Sequence, residues 1–295
     1  MSNQEIQNKL NTALKYHKAG RFPEAEIIYR GVLQEDPENT NALNLFGILL
    51  HQLKEYDEAI KYIKKAIKTS PTAYFYKNLG NVYVDKKEPK EAIMCYKQAI
   101  ILAPEDFGLY FSIGLAYRSI NKDDQAIAYY EKVLELNSDQ LEAHYNLGNI
   151  YKEKKYMDNA IKHYEKALDI SPRDADVCLN LANAFREKED LDEAVFYYKR
   201  TLKLKPNYEM AYFNLAQTYI DKEDFNNAIN CFEGVIDINP RNAKAYFNLG
   251  NIYRDKEDLD KAISYYQKAL ELNPNYAEAY NNLGIAFFNK ENPDK

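Results

Sequence analysis

The chain has 295 residues, 28% of them charged, a net charge of −6 and three widely spaced cysteines, Cys95, Cys178 and Cys231. The acidic balance argues against a nucleic-acid binder, which needs a basic stripe to neutralise phosphates. No apolar run reaches membrane-spanning length, the opening MSNQEIQNKL has no signal-peptide core, and so few cysteines indicate a reducing, cytoplasmic setting without a disulfide scaffold.

Taken in chain order, the sequence repeats itself every 34 residues. A first unit begins near Ile6 and is the most degenerate, with Lys9 and Thr12 at two positions that are large and apolar elsewhere, as suits an end unit with one face in water. A second unit begins near Thr40 and is one residue short. Others begin near Ala73, Phe107, Leu141, Ala175, Glu209 and Ala243, and a ninth, from Ala277, stops after its first half. Counted from these starts, position 32 is proline (Pro37, Pro71, Pro104, Pro172, Pro206, Pro240, Pro274), replaced once by Ser138. Position 8 is always Gly or Ala, position 20 is always Ala, and position 27 is mostly small. Large residues fill positions 4, 7, 11 and 24, as in Tyr246, Leu249, Tyr253 and Tyr266.

Positions 4, 7, 8 and 11 share one face of a helix, and positions 20, 24 and 27 share one face of a second. Each unit therefore predicts two antiparallel helices, small residues letting the axes approach and large ones filling the gaps. The link falls near position 15, as in Lys256-Glu257-Asp258. Asp190, Asp224 and Asp258 are expected N-caps of second helices, and Pro89 sits in a first turn, where proline is tolerated. The closing proline ends the second helix.

The pattern large-x-x-Leu-Gly-x-x-Tyr, then Ala, an aromatic, Ala and Pro, resembles the tetratricopeptide repeat family over Ile6 to about Asn289. The family's usual Trp at position 4 is absent, with Tyr, His or Cys there in most units. The resemblance implies an all-α, right-handed superhelical solenoid forming a single domain over residues 6–290, with short polar tails at 1–5 and 291–295.

Repetition accounts for most of the glycine and proline, and leaves no phosphate-cradling loop, nucleophile elbow or metalloprotease helix. Cys95, His163 and Cys231 share position 23 in alternate units, too far apart for metal bonds of about 2 Å. His144 and Cys178, at position 4 of adjacent units, read as ordinary packing. No catalytic activity, cofactor or metal is expected.

Amides recur where packing does not need them. Position 6 holds Asn78, Asn146, Asn180, Asn214, Asn248 and Asn282, broken by Leu45 and Ser112. Position 9 holds Asn81, Asn149, Asn183, Gln217 and Asn251, broken by Leu115. Asn disfavours helix interiors, so its retention asks for a reason. An amide donates and accepts, and a row of them can pair with the backbone of an extended peptide; the alternatives are amides that bridge adjacent repeats, or inheritance by duplication. In the family the first helices line the concave groove. The row is similar to the asparagine ladder of O-GlcNAc transferases, whose resemblance implies that these amides hold a peptide main chain. No catalytic domain follows here. A carboxylate clamp matches only Lys77 and Asn81, and Glu142 would repel the carboxylate.

Acids at position 13 (Asp85, Glu153, Glu187, Asp221, Asp255) and bases at position 12 (Arg118, Lys152, Arg186, Arg254) form a mixed-charge edge, either a solvated face or a selector of charged side chains. Leu45 and Ile48 form a small apolar patch in the groove. Ile285 and Phe288 place apolar residues at polar positions of the ninth unit, with Phe287 the expected core aromatic, and a helix so exposed invites self-association or a docked partner. The leading expectation is a scaffold binding a protein or peptide segment, with no nucleic acid and no membrane; the alternative is a substrate-recruiting arm of, or truncated from, an O-GlcNAc-transferase-like enzyme. RNA binding by one base per repeat lacks its basic groove.

Overall fold

The computed structural model describes residues 2–291, which form seventeen α-helices, with no strand among the described residues. Two compact units divide at Ala143 and His144. The first contains α1 (Asn3–Lys18), α2 (Phe22–Glu35), α3 (Thr40–Gln52), α4 (Tyr56–Thr69), α5 (Ala73–Asp85), α6 (Pro89–Leu102), α7 (Phe107–Arg118), α8 (Asp123–Leu136) and the start of α9 (Leu141–Glu153). The second contains the rest of α9, then α10 (Met157–Ile170), α11 (Ala175–Glu187), α12 (Leu191–Leu204), α13 (Glu209–Asp221), α14 (Phe225–Ile238), α15 (Ala243–Asp255), α16 (Leu259–Leu272) and α17 (Ala277–Glu291). Odd-numbered helices are the first of each repeat and even-numbered helices the second. Consecutive helices pack on one another from α1 to α8 in the first unit and from α10 to α17 in the second.

The close approach within a pair occurs at position 8. A Cβ built on Gly114, Gly148 or Gly250 would lie 2.6 Å from a ring carbon of Tyr130, Tyr164 or Tyr266 at position 24, and one on Gly47 would lie 2.5 Å from Ile63. Real side chains do not approach so closely, so glycine is what lets the ring lie flat on the first helix. Every position-20 alanine is wholly buried beside it, as are the position-27 residues. Rings at positions 11 and 23 add stacked pairs, with centroids 5.5 Å apart for Tyr117–Tyr129 and Phe185–Tyr197 and 5.4 Å apart for Tyr253–Tyr265. Phe287 departs from its expected core role and is 42% exposed. No helix follows α17 among the described residues, so this ring has no position-23 partner.

Each link closes as a Schellman motif. Position 15 is left-handed in all eight repeats that have a link, yet only Gly20 is glycine; Lys54, Lys87, Asn121, Lys155, Glu189, Glu223 and Glu257 adopt φ between 56° and 66°. The next N–H bonds back to the position-11 carbonyl, as in Asp258 to Tyr253 at 2.9 Å, satisfying an orphan carbonyl at the helix end. Of the expected second-helix caps, Asp224 and Asp258 accept from Asn227 and Lys261 N–H, whereas Asp190 makes no side-chain cap bond. The better caps lie on first helices, where Asn39, Thr72, Asp106, Asp174 and Asn242 each accept a backbone N–H. Residues 3–5, expected as tail, form the first turn of α1 under a Ser2–Glu5 capping box. Of the expected C-terminal tail, Glu291 ends α17 and residues 292–295 lie outside the described residues.

Exposed braces tie neighbouring repeats. Lys86 pairs with Asp57 at 3.0 Å and Lys188 with Asp158 at 2.6 Å, and Lys222–Asp192 and Lys290–Asp260 repeat the geometry. Singly these exposed pairs contribute little, because water screens them.

Two substitutions test this framework by urea denaturation. Gly148→Leu drives a side chain into Tyr164 and costs about 1–3 kcal/mol by overpacking, whereas Gly284→Leu, with nothing within 4 Å of its Cβ position, avoids that cost and, by removing a glycine from the interior of α17, does not lower the midpoint. Glu257→Gly relieves a left-handed residue and raises stability by about 0.5–1 kcal/mol after the extra backbone entropy of glycine is subtracted.

Candidate functional site

The position-9 amides begin in the core. The buried tyrosine at position 24 crosses the small residue at position 8, and its hydroxyl donates to the amide oxygen of the next residue on the first helix: Tyr96 to Asn81 at 2.7 Å, Tyr164 to Asn149 at 2.7 Å, Tyr198 to Asn183 at 2.6 Å and Tyr266 to Asn251 at 2.9 Å. Burial pushes the pKa of each of these hydroxyls up, so they stay neutral donors. Tyr29, with Leu14 at position 9 of its repeat, meets His17 Nδ1 at 3.4 Å instead, and Tyr130 departs further. Its repeat has Leu115 at position 9, and its buried oxygen has no hydrogen-bond partner.

The position-6 amides reach across repeats. Asn214 donates to Asn183 at 2.9 Å, Asn282 to Asn251 at 2.8 Å, and Asn78 to Asn44 at 3.0 Å. Gln217 donates to Asn248 at 3.2 Å, and Asn180 donates to the Tyr145 hydroxyl at 2.9 Å while accepting from Lys152 at 3.1 Å. Part of the row is thus structural: tyrosine to amide to the amide of the next repeat. Capacity remains, because an amide offers two N–H donors and two acceptor sites. Asn78 and Asn214 each use one N–H, and neither side-chain oxygen accepts a hydrogen bond from any described residue. The position-6 side chains from Asn78 to Asn282 are half-exposed.

The charges beside the row are largely paired. Arg186 meets Asp221 at 2.8 Å, His51 meets Asp85 at 2.7 Å, Lys155 meets Glu187 at 2.7 Å, Arg118 meets Asp123 at 2.7 Å and Arg254 meets Asp255 at 2.8 Å. Leu45, which also packs on the core, and Ile48 are half-exposed like the asparagines, so the expected patch is present, though a more open apolar surface lies elsewhere. That surface is at Val84 and Leu115, 43% and 45% exposed. Ile285 and Phe288 are exposed as expected.

Two niches on the first-helix face use the same repeat positions. In the first unit a niche of about 710 Å³ lies between the third and fourth repeats, lined by Asn81, Val84, Asp85, Tyr96, Ser112, Leu115 and Ser119, among others. In the second unit one of about 760 Å³ lies between the sixth and seventh, lined by Asn183, Arg186, Glu187, Tyr198, Asn214 and Asp221, among others. The second is ionic where the first is apolar.

A histidine pair escaped the sequence reading. His144 and His163, at positions 4 and 23 of one repeat, place their Nδ1 atoms 3.0 Å apart, and the His163 ring stacks on Tyr151 with centroids 5.5 Å apart. Aligning position 4 with position 4 of the next unit had paired His144 with Cys178 instead. Burial, then the charges of His144 and Lys162, lower the His163 pKa from the usual 6.5 to about 4. Burial pushes the Cys95 and Cys231 thiols up to about 11, far from nucleophile range. Among the described residues no three His, Cys, Asp or Glu side chains gather as metal ligands, and no helix is long and apolar enough to cross a membrane.

Sequence models described as TPR repeat match residues 114–155, 216–253 and 250–290, and others described as tetratricopeptide repeat match 16–79, 73–106, 141–174 and 175–208. Over 93 residues the chain is 35% identical to the probable UDP-N-acetylglucosamine–peptide N-acetylglucosaminyltransferase SEC of Arabidopsis thaliana, a match taking in 31% of this chain and 10% of that protein. Among solved structures, the C-terminal part of a TPR repeat-containing protein from Cytophaga hutchinsonii is similar with a TM-score of 0.73 at 19% identity, covering 81% of this chain and 98% of that one, a likeness of fold alone. YrrB, described as a TPR protein with an unusual peptide-binding site, is 28% identical with a TM-score of 0.57, covering 63% of this chain and 96% of its own. MamA is 29% identical with a TM-score of 0.52, covering 55% and 95%.

Two outcomes follow for solution measurements. Asn183→Leu strands the Tyr198 hydroxyl and the Asn214 amide and costs about 1–3 kcal/mol, whereas Leu115→Asn gives Tyr130 an acceptor and gains about 1 kcal/mol; urea midpoints read both. Because the folded His163 pKa is depressed, the unfolded chain takes the proton first. Its contribution is whole above pH 6.5 and is lost as pH falls towards 4. His163→Tyr, the residue at this position in four other repeats, removes that part of the fall in melting temperature between pH 7.5 and pH 5.

Proposed function

Because this chain belongs to the tetratricopeptide repeat family, we propose that it is a non-catalytic scaffold whose first-helix face holds an extended segment of a partner polypeptide. Arrays of this kind are in general protein–protein interaction scaffolds and not catalysts. The observation that carries the finer reading is the amide row. Its members are held by buried tyrosines and by one another, yet Asn78 and Asn214 keep an N–H and an oxygen for a ligand. A side chain already fixed loses little rotamer entropy on binding, so such a row is preorganised to meet a peptide backbone. Uniform amides do not read side chains, so affinity along the row depends little on sequence. YrrB, similar over most of its length, is described by its peptide-binding site, which fits the same use of the fold.

A second reading rests on the match to the Arabidopsis glycosyltransferase. The chain would then present substrates to a separate sugar-nucleotide enzyme. It spans about a tenth of that relative, so this reading stands or falls on co-purification with such an enzyme.

The test is capture of partners from a lysate by the parent and by Asn146→Ala/Asn180→Ala/Asn214→Ala/Asn248→Ala, used at a temperature where circular dichroism shows both folded. A captured partner is reduced to its shortest binding peptide. That peptide binds the variant roughly 30-fold or more weakly if two or more amide bonds are lost. Equal affinity for parent and variant would overturn the role of the amides.

A further inference from the structure

We infer that the niche at Val84 and Leu115 is the specificity pocket of this face, taking one uncharged apolar side chain, aliphatic or aromatic, from the extended partner segment. The inference rests on the peptide-binding reading above and names what the partner must carry.

The repeat itself supplies the comparison. At position 12 the ionic niche has Arg186 and this one Val84; at position 6 of the following repeat Asn214 becomes Ser112; at position 13 Asp221 becomes Ser119. All three changes remove charge or amide groups from the same wall. Four of the polar groups that remain are held from within. The Ser112 hydroxyl donates to the Gly108 carbonyl at 2.8 Å, and the Ser119 hydroxyl to the Ala116 carbonyl at 2.8 Å. The Tyr96 hydroxyl is held by Asn81 at 2.7 Å, and the Asp85 carboxylate by His51 at 2.7 Å. Lys87, also in the lining, has no ion-pair partner among the described residues, but it is exposed, and a pair made with it in water is worth little; a basic side chain would meet its like charge, while an apolar one would cover Val84 and Leu115. The volume, about 710 Å³, is ample for a leucine or an aromatic ring together with its main chain.

A second observation points the same way. Leu115 leaves the buried Tyr130 hydroxyl without the acceptor that Asn provides in four other repeats. The leucine is also 45% exposed. The substitution is therefore unfavourable twice over in the unbound chain, and a bound apolar side chain would offset part of it.

The test pans a phage library of random twelve-residue peptides on the full chain and on Val84→Arg/Leu115→Asn, which copies the ionic niche at position 12 and restores the amide at position 9. The expected result is parent-selected peptides that share one apolar residue at a fixed place. A synthetic peptide of this kind should bind at least tenfold more weakly to the variant, and likewise when its apolar residue is changed to Asn. The variant's melting temperature, checked alongside, separates loss of the pocket from loss of fold, and Leu115→Asn alone serves if the double variant melts early. Peptides that lose binding to the Asn146/Asn180/Asn214/Asn248 alanine variant but bind the niche variant equally would overturn this inference and leave the peptide-binding reading intact. Peptides indifferent to both variants, or no enrichment at all, would overturn both.

Discussion

The distance between the two helices of a pair at position 8 governs everything else in the array. Glycine there lets the position-24 ring lie against the first helix, with 2.6 Å from the would-be Cβ to the ring in three repeats. A ring so placed reaches across the helix, and its hydroxyl emerges beside position 9. The amide on the outer face is thus positioned by a contact in the core. Where position 8 is alanine, as at Ala182, the ring of Tyr198 still reaches Asn183 at 2.6 Å, so one methyl group is absorbed without breaking the chain of contacts.

This arrangement explains why amides persist at positions where helix propensity disfavours them. The position-9 oxygens of Asn81, Asn149, Asn183 and Asn251 each accept from a buried hydroxyl that would otherwise be unpaired, a cost of about 1–3 kcal/mol for the buried group. Two of those same oxygens, on Asn183 and Asn251, also accept from the amide of the next repeat. The row therefore braces the stack and presents hydrogen-bonding groups outward at once. Bridging between repeats does not exhaust the row: the oxygens of Asn183 and Asn251 bridge, while Asn78 and Asn214 keep an N–H and an oxygen.

The helix pairs, the small-against-large packing and the closing prolines were legible because each is a side-chain type at a fixed period. What escaped was conformation or pairing that residue type does not encode. Seven links take a left-handed residue from Lys, Glu or Asn, where sequence alone marks glycine; the Schellman bonds to position 11 enforce it. Asp190 and Asp258 stand at the same position, yet only Asp258 turns its carboxylate onto a backbone N–H. His144 was compared with its counterpart in the next repeat, while its neighbour lies 19 residues on, across the link. The tyrosine–amide bond was hidden the same way, its partners 15 residues apart on different helices.

A periodic surface carries a limit of its own. If every repeat offers the same amides, a partner can slide by one repeat and meet the same bonds, so the copied residues supply affinity without fixing register. Register must come from places where the copy fails. In the first unit such a failure is Leu115 with Ser112 and Val84; in the second, Arg186 and Asp221 fill the corresponding wall with an ion pair. A ligand that suits one wall fits the other less well, because an apolar group gains little from a paired arginine and a basic group beside Leu115 meets Lys87. Specificity in such a chain is written as the difference between repeats, and the buried Tyr130 hydroxyl without a partner marks where that difference was made at the expense of the fold.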